Sequence, residues 1–227
     1  MAFNEVANLP TVVQDVLDTL GTRTGTLRVL IVDDGSSDGT SAVADHLAVA
    51  DPRIQVIHHT QNQGLGGVYR TGFAACREGL LTFVPADGQY KALNVVRLLN
   101  SLDGADLALG FLPTKREGVV PHILSQLERL LYRLLLGRMP RFQGLFLVRA
   151  ALVKRLELTA KGRGWAIVTE FIFKAWKIGA RIETAPMVLS PRLSGQSKVQ
   201  NWRTVFSSLR QLCSLAWSLK SLRCGRR

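Results

Sequence analysis

Residues 27–40 read LRVLIVDDGSSDGT. The opening run, Leu27 to Val32, is short, apolar and rich in β-branched side chains, and aspartate, glycine and serine break it at once; that is the pattern of a buried strand. The stretch from Asp33 to Thr40 is then a turn running into a helix over 42–49, with Ser37 or Asp38 as its cap. The same unit recurs downstream. A strand is expected over 54–58, a glycine-rich turn at Asn62-Gln63-Gly64-Leu65-Gly66-Gly67 opening a helix through 72–77, and a strand over 80–84. A helix over 93–102 and a strand over 105–110 follow. The second half is less regular, with a helix over 122–136, a strand over 142–148, a helix over 168–177 and a strand over 181–189. Strands alternating with helices imply an α/β fold whose mostly parallel sheet is flanked by helices on both faces.

The composition agrees. With 227 residues, 47% of them apolar, the chain suits one globular domain and is too hydrophobic for disorder. Three cysteines, Cys76, Cys213 and Cys224, show no metal spacing and suggest neither a disulfide framework nor a zinc site, which fits a reducing, cytoplasmic compartment. No apolar run reaches the roughly 18–20 residues that span a bilayer, and no signal peptide is read at the start. The formal charge of +12 attracts polyanions: nucleic acid, nucleotide phosphates or anionic lipid. No acidic residue follows Glu183, so that charge is concentrated at the C-terminal end.

In parallel sheets, ligands bind beyond the carboxyl ends of the strands. That rule gathers Asp33, Asp34, Asn62 and Asp87 on one rim. At the first turn an aspartate can accept hydrogen bonds from a base or ribose, or it can close an Asx-turn and cap a helix. The glycine-rich turn can cradle a phosphate through backbone N–H groups, or it can let a helix pack closely; it lacks the lysine of a P-loop. The third turn, VPADGQY over 84–90, offers Asp87 and Gln89, hard oxygen donors suited to Mg²⁺ or Mn²⁺ only where a nucleotide supplies further ligands.

Taken in order, Phe3-Asn4-Glu5, VDDGSSDGT, NQGLGG with RTGF, ADGQY, RFQGLFLVR and PRLSGQSK resemble glycosyltransferase family 2, in its dolichyl- or polyprenyl-phosphate sugar transferase branch, from Phe3 to about Lys198. The resemblance implies a GT-A fold, a nucleotide-diphosphate sugar donor, a divalent metal and inversion at the anomeric carbon. It implies that Glu5 and Asp33 or Asp34 hold base and ribose, that Asp87 and Gln89 hold metal and diphosphate, and that Arg192, Ser197 and Lys198 grip phosphate. Two departures stand out. The family's apolar first strand is expected to be missing, since only Met1, Ala2 and Phe3 precede Asn4, or the start codon has been placed late. Pro85 stands where the family's Asp-x-Asp motif has its first aspartate, so a weakened metal site is expected.

The chemistry sets its own requirements. A lipid phosphate is already an anion and needs no base, only cations to bring two phosphates together and stabilise the departing diphosphate. Lys115, Arg116, Arg192 and Lys198 are candidates for that work. An acceptor hydroxyl would need a base, and Glu170 in WAIVTEF is the candidate; the catalytic candidates are thus Asp87 and Glu170. Residues 1–198 form the expected transferase domain. Residues 199–227, with Trp202, Phe206, Leu209 and Leu212 at helical spacing, form a basic amphipathic helix that contacts an anionic membrane, the domain's own core or a second copy. No nucleic-acid motif accompanies the charge. The expected partners are a nucleotide sugar, a polyprenyl phosphate or other glycan acceptor, and the cytoplasmic membrane face.

Overall fold

The computed structural model describes residues 1–113, 140 and 142–191. The expected helix over 122–136, the basic helix over 199–227, and Lys115, Arg116, Arg192, Ser197 and Lys198 lie outside these residues. The described elements run α1 (Leu9–Gly21), β1 (Val29–Asp33), α2 (Thr40–Ala50), β2 (Ile54–His58), α3 (Gly64–Ala75), β3 (Leu80–Thr82), α4 (Leu93–Ser101), β4 (Leu107–Phe111), β5 (Phe146–Arg149), α5 (Ala150–Lys154), α6 (Ala166–Lys177) and β6 (Ile182–Pro186). Helix α1 was not anticipated. Its apolar stripe, Leu9, Val12, Val13, Val16, Leu17 and Leu20, follows the helical period, and Pro10 sits in the first turn, where a missing N–H costs nothing.

Strands β1 and β2 pair in parallel from Val29 opposite Ile54 to Asp33 opposite His58. The remaining strands are ordered β3-β5-β4-β6, with β4 and β6 parallel and β5 antiparallel to both its neighbours. The sheet is therefore mixed. Met1 and Ala2 join its two parts: Ala2 N donates to Val32 O and Asp34 N to Ala2 O, both at 2.9 Å, while Met1 N donates to Val84 O at 3.1 Å and Ala86 N to Met1 O at 2.9 Å. The expectation of a missing first strand is corrected to this extent. Two residues occupy its place between β1 and the segment after β3, at the carboxyl rim, where the ligand-binding end of the sheet lies.

Alternation along the central strands divides the core. Leu107 and Leu109 of β4, with Phe146 and Val148 of β5, face α3 and α6, whereas Ala108, Leu145 and Leu147 face α1 and α4. The first face is aromatic. Tyr69 and Phe83 rings lie 4.3 Å apart, and an added Cβ at Gly72 would stand 2.3 Å from the Phe83 ring, so glycine is what lets α3 settle on the sheet.

Candidate active site

The turn after β1 is stitched to the segment that follows Ala2. Asn4 N donates to Ser36 Oγ at 3.0 Å, Ser37 N to Asn4 Oδ1 at 2.9 Å, Glu5 N to Thr40 Oγ1 at 2.9 Å and Val6 N to Asp38 Oδ2 at 3.2 Å. Asp38 also accepts from Thr40 N at 3.0 Å in the turn ahead of α2, but the residue at the N-cap is Gly39, so neither Ser37 nor Asp38 is the expected cap. Gly39, at φ 95°, makes the entry. Glu5 is half-buried and accepts from Asn8 Nδ2 at 2.7 Å.

Asp33 and Asp34 do not project over the edge. Both are buried, 1% and 3% exposed. Asp33 accepts from Ser36 N, from Ser41 Oγ at 2.6 Å and from His58 Nδ1 at 2.9 Å; His58 reaches Asp45 with its other nitrogen at 3.0 Å. Burial pushes the Asp33 carboxyl up, but the Ser36, Ser41 and His58 bonds outweigh it and hold the group below the usual range. Hydrogen bonds to Asp33 and Asp45 hold the His58 imidazole above its ordinary value. Asp34 accepts from His59 Nδ1 at 2.7 Å and from Gln63 N and Gly64 N, each at 2.8 Å. Held in this way, the pair frames the rim.

The glycine-rich turn resolves in favour of close packing. Its first helical N–H groups already serve Asp34, and Gly66 N donates to Arg163 O at 2.8 Å. An added Cβ at Gly66 would stand 2.0 Å from Gly162 O, and one at Gly64 would stand 2.7 Å from Arg163 O. The segment before α6 therefore lies directly on the start of α3. Arg70 Nη1 holds Gly162 O from α3 at 3.1 Å. Arg163 in turn donates to Asn62 Oδ1, at the head of the turn.

Glu170 anchors that segment from below. Its carboxylate is fully buried and accepts from Thr159 N at 3.0 Å, Thr159 Oγ1 at 2.8 Å, Ala160 N at 2.8 Å and Lys174 Nζ at 2.7 Å. Burial alone would raise this carboxyl, and the bonds from Lys174, Ala160 and Thr159 together keep it below its ordinary value. A general base needs reach to a substrate proton. Glu170 has its oxygens turned to its own chain, so the expected base is a structural keystone here.

After β3 the chain turns at Asp87-Gly88-Gln89. Gln89 N donates to Asp87 Oδ1 at 3.1 Å, Gly88 has φ 73°, and Ser190 N donates to Gln89 O at 2.9 Å, which ties the turn to the segment after β6. An added Cβ at Gly144 would stand 2.8 Å from the Tyr90 hydroxyl, so the segment before β5 presses on the same turn. Among the described residues no three His, Cys, Asp or Glu side chains come together as a metal cage. One carboxylate and one amide fit only the mode in which a small hard cation is held largely by a substrate diphosphate.

The sheet thus brings Glu5, Asp33, Asp34, Asn62, Asp87 and Gln89 to one rim, with Glu170 beneath it. Sequence reasoning missed His58, His59 and Arg163. His58 ends β2 opposite Asp33 and His59 follows it beside Asp34, which was a readable signal; nothing in the sequence marks Arg163.

Against known proteins, residues 1–155 match the profile described as glycosyl transferase family 2. The chain is 33% identical over 210 residues to the polyprenol monophosphomannose synthase of Mycolicibacterium smegmatis, covering 87% of this chain and 78% of that protein. It is 30% identical over 213 residues to the undecaprenyl-phosphate mannosyltransferase of Micrococcus luteus, covering 87% and 84%. Solved structures of the Mycobacterium tuberculosis glucosyl-3-phosphoglycerate synthase superimpose on it. The complex with phosphoglyceric acid gives TM-score 0.69 at 20% identity, covering 95% of this chain and 77% of that one. The complex with Mn²⁺, UDP-glucose and phosphoglyceric acid gives 0.64 at 19%, covering 93% and 77%. The fold is that of the GT-A glycosyltransferases.

Proposed function

The chain belongs to glycosyl transferase family 2, and from that premise we propose that it transfers a hexose from a nucleotide-diphosphate sugar to a polyprenyl phosphate, with inversion. That it is a glycosyltransferase follows from the family and the relatives. The observation that carries the finer reading is the match, along 87% of the chain, to two proteins named for making mannosylated polyprenol or undecaprenyl phosphate.

In the proposed reaction an oxygen of the lipid phosphate attacks the anomeric carbon. The bond to the nucleoside diphosphate breaks, its electron pair leaves with the diphosphate, and a sugar phosphodiester remains. No proton need be removed, which agrees with Glu170 being committed to its own loop. A divalent metal held by Asp87, Gln89 and the donor would supply charge stabilisation to the leaving group. Glu5, beside the turn after β1, together with Asp33 or Asp34, is proposed to meet the nucleoside. Arg192, Ser197 and Lys198 are retained as proposed phosphate ligands. Among the described residues no helix is long and apolar enough to cross a membrane, and the polyprenyl acceptor places the reaction at a membrane surface, with the basic residues after Glu183 as the proposed peripheral contact.

Calorimetric titration with GDP and UDP, with and without Mn²⁺, tests the donor site. Transfer of labelled mannose from GDP-mannose, and of glucose from UDP-glucose, to undecaprenyl phosphate tests the reaction. Product that appears only with a phosphorylated lipid is the expected result; no nucleotide binding in any condition and no lipid product would overturn the reading.

A further inference from the structure

The segment over 159–165 is held with more force than a surface connection requires. Glu170 accepts four hydrogen bonds beneath it, Arg70 holds two of its carbonyls, and the glycines of α3 seat its backbone. What this foundation displays at the rim is Arg163 and Trp165, both exposed. The guanidinium of Arg163 donates to the neutral amide of Asn62, and no carboxylate among the described residues lies within ion-pair distance of it. The Trp165 ring packs at 6.0 Å from Tyr69 and 6.4 Å from Phe142, two residues before the Gly144 that presses on Tyr90. The wall therefore runs from the Asn62 turn toward the Asp87–Gln89 turn. A pre-positioned charge of this kind, with no carboxylate partner among the described residues, is what a phosphate needs.

Resting on the transferase reading above, we propose that Arg163 binds a substrate phosphate, with Glu170 and Arg70 as the residues that position it and Trp165 as the apolar wall beside it. The ligand chemistry is a phosphate ester or diphosphate, which either the nucleotide donor or the lipid acceptor supplies. The start of α3 does not compete for it, because its N–H groups serve Asp34 and its neighbours.

The test uses the full chain and two probes: GDP with Mn²⁺, and farnesyl phosphate in detergent micelles, with farnesol as the uncharged control. Arg163→Ala is expected to weaken one phosphate probe by about tenfold or more, the size of a lost charge-assisted hydrogen bond. Arg163→Lys should recover part of that affinity, farnesol should be unaffected, and the melting temperature should not move, since the side chain is exposed. Loss confined to GDP assigns Arg163 to the donor; loss confined to farnesyl phosphate assigns it to the acceptor. A wild-type protein that binds the probes and an Arg163→Ala variant within twofold of it for both would overturn this inference alone. A wild type that binds neither probe would overturn the transferase reading and this inference with it.

Discussion

Replacing Glu170 by glutamine separates a keystone from a base, because the substitution keeps the volume and removes the charge. In the wild type four donor groups converge on a carboxylate with no solvent exposure, and the ammonium of Lys174 is itself mostly buried. An amide can accept at one end only. Its NH₂ must then face the Ala160 N–H or the Lys174 ammonium, so a donor opposes a donor at a position with no solvent exposure of its own. Breaking one side of a buried ion pair in this way costs about 3–5 kcal/mol. At about 2–4 °C per kcal/mol for a chain of this size, the melting temperature at pH 7 should fall by about 6–20 °C. The pH dependence carries a sign. Because the Glu170 carboxyl lies below its ordinary value of 4.5 in the fold, its contribution is present above that value and is lost as pH falls through the folded one. The gap between wild type and Glu170→Gln should therefore be full at neutrality and close under acid conditions. Calorimetric melting across pH, run beside transfer kinetics, reads both quantities. A variant that melts within about 2 °C of wild type while its turnover falls by the ~10²–10⁴ of a lost general base would refute the keystone argument.

Gly66→Ala should destabilise despite the better helix former, because its Cβ would stand 2.0 Å from Gly162 O; overpacking of this kind costs about 1–3 kcal/mol, and urea unfolding measures it. His58 titrates above its ordinary value of 6.5, so its bridge between Asp33 and Asp45 is complete below that pH and loosens as pH rises through the folded value. An NMR titration should place the His58 midpoint above 6.5, and Asp33→Asn should bring it down. Pro85→Asp, which adds a carboxylate two residues before Asp87, should tighten Mn²⁺ binding in the presence of GDP by calorimetry; unchanged affinity would show that the turn at Asp87 does not meet the metal.

The alternation of strands and helices was readable because each strand is a short apolar run closed by a turn, and β2 falls on the expected residues. The direction of β5 was not, since an apolar run of four residues carries no record of which way it enters a sheet and the connection before it is long. Helix α1 carries a clear apolar stripe and was legible in the same way, though it bears none of the motif residues. At the site, the sequence gathered Asp33, Asp34, Asn62 and Asp87 on one rim, as the fold does, and misjudged its exposure. A strand-end aspartate reads as a side chain projecting past the edge, and only the fold reveals that Ser36, Ser41 and His58 close on Asp33, and His59, Gln63 and Gly64 on Asp34. The role of Glu170 was hidden for a similar reason. Its partners Thr159 and Ala160 lie about three helical turns earlier in an irregular segment with no period to connect them.

These misjudgements share a physical consequence for the chemistry. The rim looks acidic in the sequence, which would repel a diphosphate and a lipid phosphate brought together. In the fold, however, Asp33 binds Ser36, Ser41 and His58, Asp34 binds His59 and two backbone N–H groups, Asp38 binds Val6 and Thr40, and Glu170 binds Lys174. Asp33, Asp34 and Glu170 face inward onto donors and the exposed Asp38 is engaged by backbone N–H groups, so their field at the mouth is reduced by the groups they hold, while Arg163 has no carboxylate partner among the described residues. A site for two phosphates needs this division, with anions turned into the scaffold and cations toward the substrate. It also needs few free carboxylates, because every one beyond those required for a metal would oppose the approach of the acceptor. On the proposed reading, proline in place of the first metal-motif aspartate lowers the count further and would shift the work of holding a diphosphate from metal toward arginine and lysine.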